Sequence, residues 1–131
     1  MDIALISCGK AKRDGTHAAQ NLYNGSYFKQ ALAYAQKHFD ATYILSAYYG
    51  LLTLDQKVDS YDLIITQLSK EQRKRWGLAV AKQIRYTINK NDNLYFLAGE
   101  EYCKPLLPYF PNATVLFKGM RIGERKRAYL L

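Results

Sequence analysis

Apolar and polar positions along this chain follow two rhythms, and the switches between them mark out its elements. Ile3-Ala4-Leu5-Ile6 is an unbroken apolar run, followed at once by the small and polar residues Ser7 to Lys12. A short continuous run of this kind fits a strand buried on both faces. Thr42 to Leu45 or Ser46 repeats the pattern and ends in Ala47-Tyr48-Tyr49-Gly50. Two further strands are predicted, at 93–98, ended by Gly99, and from Thr114 to Leu116 or Phe117.

Between these runs the period becomes helical. Phe28, Ala31, Leu32, Ala35 and Phe39 line one face of a helix over about 26–39. Ser69 with Gln72 reads as a capping box that opens the longest helix, to about Asn89. Its inner stripe is Trp76, Ala79, Val80, Ile84 and Thr87 or Ile88; its outer face carries Lys70, Arg73, Lys74, Lys82 and Arg85. A short helix is predicted from about Glu101 to Leu107, closed by Pro108, and a short basic helix in the tail from Gly123. Residues 8–24 read as a long loop, and 47–68 as irregular chain with at most a short helix.

Strands alternating with helices predict a parallel sheet with right-handed crossovers. The expectation is a single α/β domain over 1–131: a Rossmann-like three-layer sandwich with a mostly parallel four-stranded sheet. In such sheets a crevice opens beyond the carboxyl ends of the strands. Those ends carry Ser7 to Lys12, Ser46 to Gly50, Gly99 to Tyr102, and Lys118 to Arg121.

Charge then narrows the partners. Lys and Arg number 19 against 11 Asp and Glu, a net charge of +8, which favours nucleic acid or a phosphorylated small molecule. Twelve tyrosines supply rings for stacking on bases as well as for packing. Two cysteines, Cys8 and Cys103, show no metal spacing and fit a reducing compartment; no metal or other cofactor is called for. No apolar run reaches membrane-spanning length and no leader pattern precedes the first strand, so a cytoplasmic protein without a membrane partner is expected.

Each strand end offers candidate chemistry. Ser7, Cys8, Gly9, Lys10 and Lys12 form a small-residue turn whose N–H groups and lysines suit an anion, although neither a Walker loop nor a GxGxxG fingerprint is present. Cys8 is a nucleophile or a small buried thiol. Ser46, Tyr48, Tyr49 and Gly50 suit the floor and stacking wall of a pocket, or a packed loop with glycine in a left-handed turn. Asp55 is the candidate polar catalytic group, with Lys10 beside it, and Gly99, Glu101 and Tyr102 complete the ligand-binding set. The basic cluster from Lys118 to Arg127, together with Arg73, Lys74 and Arg75, reads as a phosphate-binding face or as solvated surface.

These residues resemble a known family. Ile44 to Leu52, with Asp55 and Tyr61 downstream, is similar to a segment of the YaaA peroxide-stress proteins, and Ile6-Ser7-Cys8-Gly9-Lys10 resembles the end of their first strand. A nearer likeness is a smaller bacterial and phage domain of the same type, with a Ser-Cys start and a following lysine. The resemblance implies a compact cytosolic α/β domain concerned with DNA, nucleobases or N-glycosidic bonds. Two functions follow as expectations: a nucleotide- or nucleobase-binding protein acting on an N-glycosidic bond or modified base, or a non-catalytic nucleic-acid-binding stress protein. A small interaction protein without a ligand is the third.

Overall fold

A computed structural model describes residues 1–131. In chain order the first elements are β1 (Asp2–Ser7), β2 (Thr16–Ala18), α1 (Ala19–Leu22) and α2 (Ser26–His38). Then come β3 (Ala41–Ser46), β4 (Gly50–Thr53), β5 (Lys57–Asp59) and α3 (Lys70–Thr87). The chain ends with β6 (Asn93–Leu97), α4 (Glu100–Cys103), β7 (Thr114–Val115) and α5 (Ile122–Ala128). Five strands form one open sheet in the order β4-β3-β1-β6-β7. The apolar run of β1 is its centre, paired in parallel with β3 and with β6. β7 continues the parallel set beside β6.

The four strands expected from the sequence are all parallel members of this sheet, and a fifth was hidden in the stretch read as irregular. β4 folds back antiparallel on β3, with Ser46 opposite Gly50 and Tyr43 opposite Thr53. The reversal is made by Ala47-Tyr48-Tyr49, and it is fastened by the Ser46 hydroxyl, which accepts the N–H groups of Tyr48 at 3.2 Å and Tyr49 at 3.1 Å. Gly50 closes it at φ +80°, a left-handed conformation that a side chain would strain. The loop at 8–24 also contains structure: β2 pairs antiparallel with β5, Thr16 opposite Asp59.

α2 packs on β1 and β3, and α3 on β4. The capping box of α3 is present, with the Ser69 hydroxyl accepting from Gln72 N–H at 3.1 Å and Gln72 Oε1 accepting from Ser69 N–H at 2.8 Å. The core joins Leu5, Ile6, Leu22, Phe28, Ile44, Leu45, Ile84, Phe96 and Leu97 across these elements. No helix is long and apolar enough to cross a membrane.

Candidate functional site

A cleft of about 530 Å³ opens at the carboxyl ends of β1 and β6. Its floor is Ser7, Cys8, Gly9 and Lys10; Gly99, Glu100, Glu101 and Tyr102 form one wall. The opposite wall is the start of α2, and the rim is Met120, Ile122, Arg125 and Lys126 from the α5 region. Each wall follows from local sequence. Gly25 takes the N-cap position of α2 and no side chain caps that end. The N–H groups of the first turn are left for a ligand or water, with the positive end of the helix dipole behind them. Arg125 is anchored where it lies, its Nη1 donating to Ala98 O at 3.1 Å.

Cys8 is buried beneath this cleft, its N–H donating to Leu45 O at 3.1 Å. Two phenols meet its sulfur, Tyr102 at 3.5 Å and Tyr61 at 3.7 Å. Tyr61 also lies 2.7 Å from Tyr23 Oη and 2.7 Å from Ser46 Oγ. Because Ser46 already accepts two backbone N–H groups, its own hydrogen points to Tyr61. Burial first, and the neighbouring Cys8 sulfur second, push the phenols of Tyr23, Tyr61 and Tyr102 above their ordinary range, so they stay neutral and able to donate. Burial likewise pushes the Cys103 thiol up to about 12, and its sulfur donates to Ala98 O at 3.4 Å.

Of the residues singled out from sequence, Ser7, Cys8, Gly9, Lys10, Gly99, Glu101 and Tyr102 line this one cleft. Lys12 lines an open concavity of about 720 Å³ that shares Lys10 with it. Ser46 lies in the buried layer behind Cys8, reached through Tyr61. Tyr48, Tyr49 and Gly50 make the β3–β4 reversal, where Tyr48 is 61% exposed and stacks on Tyr61 at 5.1 Å. Asp55 is placed elsewhere. The antiparallel course of β4 carries the chain back from the carboxyl edge, and Asp55 sits in the exposed turn after it, accepting from Gln20 Nε2 at 3.0 Å.

Two contributors escaped the sequence reading. Tyr23 and Tyr27 gave no signal, Tyr23 being a single aromatic in the stretch read as loop and Tyr27 standing off the apolar face of the predicted helix. Arg125 and Lys126 belong to the basic tail cluster read from sequence as a phosphate-binding face or solvated surface, and α5 brings both to the rim of the cleft. No group of three or more His, Cys, Asp or Glu side chains is arranged to hold a metal ion. A separate cavity of about 390 Å³ lies at the opposite, amino edge of the sheet, between Arg85, Asn89 to Leu94 and Phe110, and gathers none of the candidate residues.

Fold and cleft together define an α/β protein with a basic, partly enclosed cleft at the carboxyl edge of a mostly parallel sheet. The chain belongs to a family of unknown function, DUF6884, whose model matches residues 3–130. In sequence, no curated protein matches it.

Proposed function

We propose that the chain binds a nucleotide, or another nucleobase compound bearing a phosphate, in the cleft over Cys8. The observation that carries this reading is the convergence of Lys10, Arg125, Lys126 and the uncapped amino end of α2 on one cavity. Charged side chains and free N–H groups aimed at one space are a phosphate site by elementary electrostatics. Glu100 and Glu101 oppose them, so three cations face two carboxylates and the balance suits one phosphate group rather than a polyphosphate chain. Cleavage of an N-glycosidic bond here would draw on Glu101, the half-buried carboxylate of the pair, to stabilise a cationic sugar centre. The resemblance to YaaA proteins points the same way only by analogy.

A second reading, binding of nucleic acid without catalysis, is favoured by one observation. A groove of about 430 Å³ lined by Lys70, Arg73, Lys74 and Lys104 shares Glu101 with the cleft. Calorimetric titration separates the two. A mononucleotide should bind at low ionic strength, and Lys10→Ala should weaken it about tenfold, the loss of one charge-assisted contact. Mononucleotides that fail to bind, or that ignore Lys10→Ala, overturn the nucleotide reading. An oligonucleotide that binds where they fail, with affinity falling steeply in salt, transfers the case to the second.

A further inference from the structure

The concavity beside the cleft has the chemistry of a base-reading pocket. Lys10, Lys12, Asp14, Ser60, Tyr61 and Asp62 line it. Tyr61 supplies a flat ring that cannot turn freely. Its hydroxyl is tied to Ser46 and Tyr23, both at 2.7 Å, while Tyr48 stacks on it with an interplanar angle of 21°. Tyr49 holds Tyr48 in turn, edge-on at 4.9 Å, and is itself pinned because its hydroxyl donates to Asp59 O at 2.9 Å. Lys12 Nζ lies 4.5 Å from the centre of the Tyr61 ring, so the ring already holds a cation against its π-face. That lysine is otherwise tied only by donation to Lys10 O at 3.0 Å. A single flexible side chain thus covers the face on which a planar group would stack.

The same concavity is lined by acceptors. Asp14 and Asp62 are exposed carboxylates, and Ser60 adds a hydroxyl. A carboxylate only accepts, so the base edge offered to it must donate. Guanine presents adjacent N–H and NH₂ groups that match a carboxylate; uracil presents one N–H between two carbonyl oxygens that repel it. The two concavities meet at Lys10, which lines both, so a ligand held by its phosphate in the cleft has an adjoining space for its base in which Tyr61 is a lining residue.

We propose that this concavity takes the base of the bound nucleotide, stacked on Tyr61 in the place of the Lys12 ammonium, with Asp62 and Asp14 selecting a base whose edge carries N–H donors. This inference rests on the nucleotide reading of the cleft. It assigns Tyr61 as the stacking surface and Asp62 as a specificity-determining residue, and Lys12 moves from the ring toward the phosphate when the base enters.

The test is calorimetric titration of the full chain with GMP, UMP and inorganic phosphate, repeated on Asp62→Asn, Asp14→Asn and Lys10→Ala. Both Asp residues are exposed, so these variants keep the fold. GMP should bind about tenfold or more tighter than UMP, the range one well-made polar contact supplies. Asp62→Asn should remove most of that preference and leave inorganic phosphate binding unchanged. Equal binding of GMP and UMP, or a preference untouched by both Asp variants, overturns the base assignment. If Lys10→Ala still weakens both nucleotides in that case, the cleft keeps its phosphate and only the base lies elsewhere. If neither nucleotide nor phosphate binds, the nucleotide reading falls and this inference with it.

Discussion

Ser46 is fully buried, and each of its hydrogen-bonding valences is used: two N–H groups donate to it, and it donates to Tyr61. Ser46→Ala would take from those partners the one side chain that joins them in a part-buried layer. That loss costs about 1–3 kcal/mol, against almost no gain from the added methyl character. The expected result is a lower urea midpoint with an unchanged slope, and a stability within a few tenths of a kcal/mol of the parent would show that the network holds nothing. Ser46, Cys8 and Tyr102 could be picked out from the sequence because each lies where an apolar strand gives way to small or polar residues, a feature visible in one dimension. Tyr61 as a neighbour of Cys8 was not visible. It is brought there by the pairing of β2 with β5 and by the donation of Ser60 N–H to Gly15 O, contacts between segments some forty residues apart. Asp55 misled for the converse reason. It is near the glycine turn in sequence, but the strand between them runs away from the edge.

At the scale of elements, the four parallel strands and the two long helices were legible because periodicity is strong over runs of that length. What the pattern misjudged is which way α3 turns its small residues. Ala79 was expected on the inner stripe and is exposed; Gly77 and Ala81 are buried beside Trp76, Val80 and Ile84. Hydrophobic spacing does not register a glycine, yet at Gly77 α3 lies close against the segment at Pro105. A Cβ there would lie 2.5 Å from Pro105 O and 2.8 Å from Pro105 Cβ. Gly77→Ala therefore sets two effects against each other. Alanine in a helix interior gains up to about 1 kcal/mol over glycine. Overpacking against a backbone carbonyl, which cannot swing aside as a side-chain tip can, costs about 1–3 kcal/mol. The clash should win, and the variant should melt lower than the parent; a higher melting temperature would mean that the 105 segment gives way freely.

For the molecule as a whole, four of the twelve tyrosines, Tyr23, Tyr61, Tyr102 and Tyr129, are held in part-buried or buried hydrogen-bonded positions, and these bear on its alkaline limit. Tyr23, Tyr61, Tyr102 and Tyr129 all have phenols raised above the ordinary range, burial being the first cause in each, and Cys103 is raised to about 12. In the unfolded chain these groups ionise near 10 for tyrosine and near 8.5 for cysteine. Below those values both states hold the protons, and the groups make no difference to the pH dependence. As pH rises past about 9 the unfolded chain binds fewer protons than the folded one, so stability falls with pH. The net charge works the other way at first. It falls from +8 at pH 7 to zero near the isoelectric point of about 9.5, which relieves self-repulsion, and only beyond that point does charge repulsion join the proton term. The melting temperature should therefore stay level or rise slightly from pH 7 to about 9 and then drop steeply toward pH 11. Absorbance at about 295 nm, where phenolate absorbs, should show the buried tyrosines ionising together with the loss of structure rather than ahead of it. A melting temperature level to pH 11, or all twelve tyrosines titrating while the fold persists, would mean that the Ser46–Tyr61–Cys8 layer is open to water. The cleft would then have no dry floor.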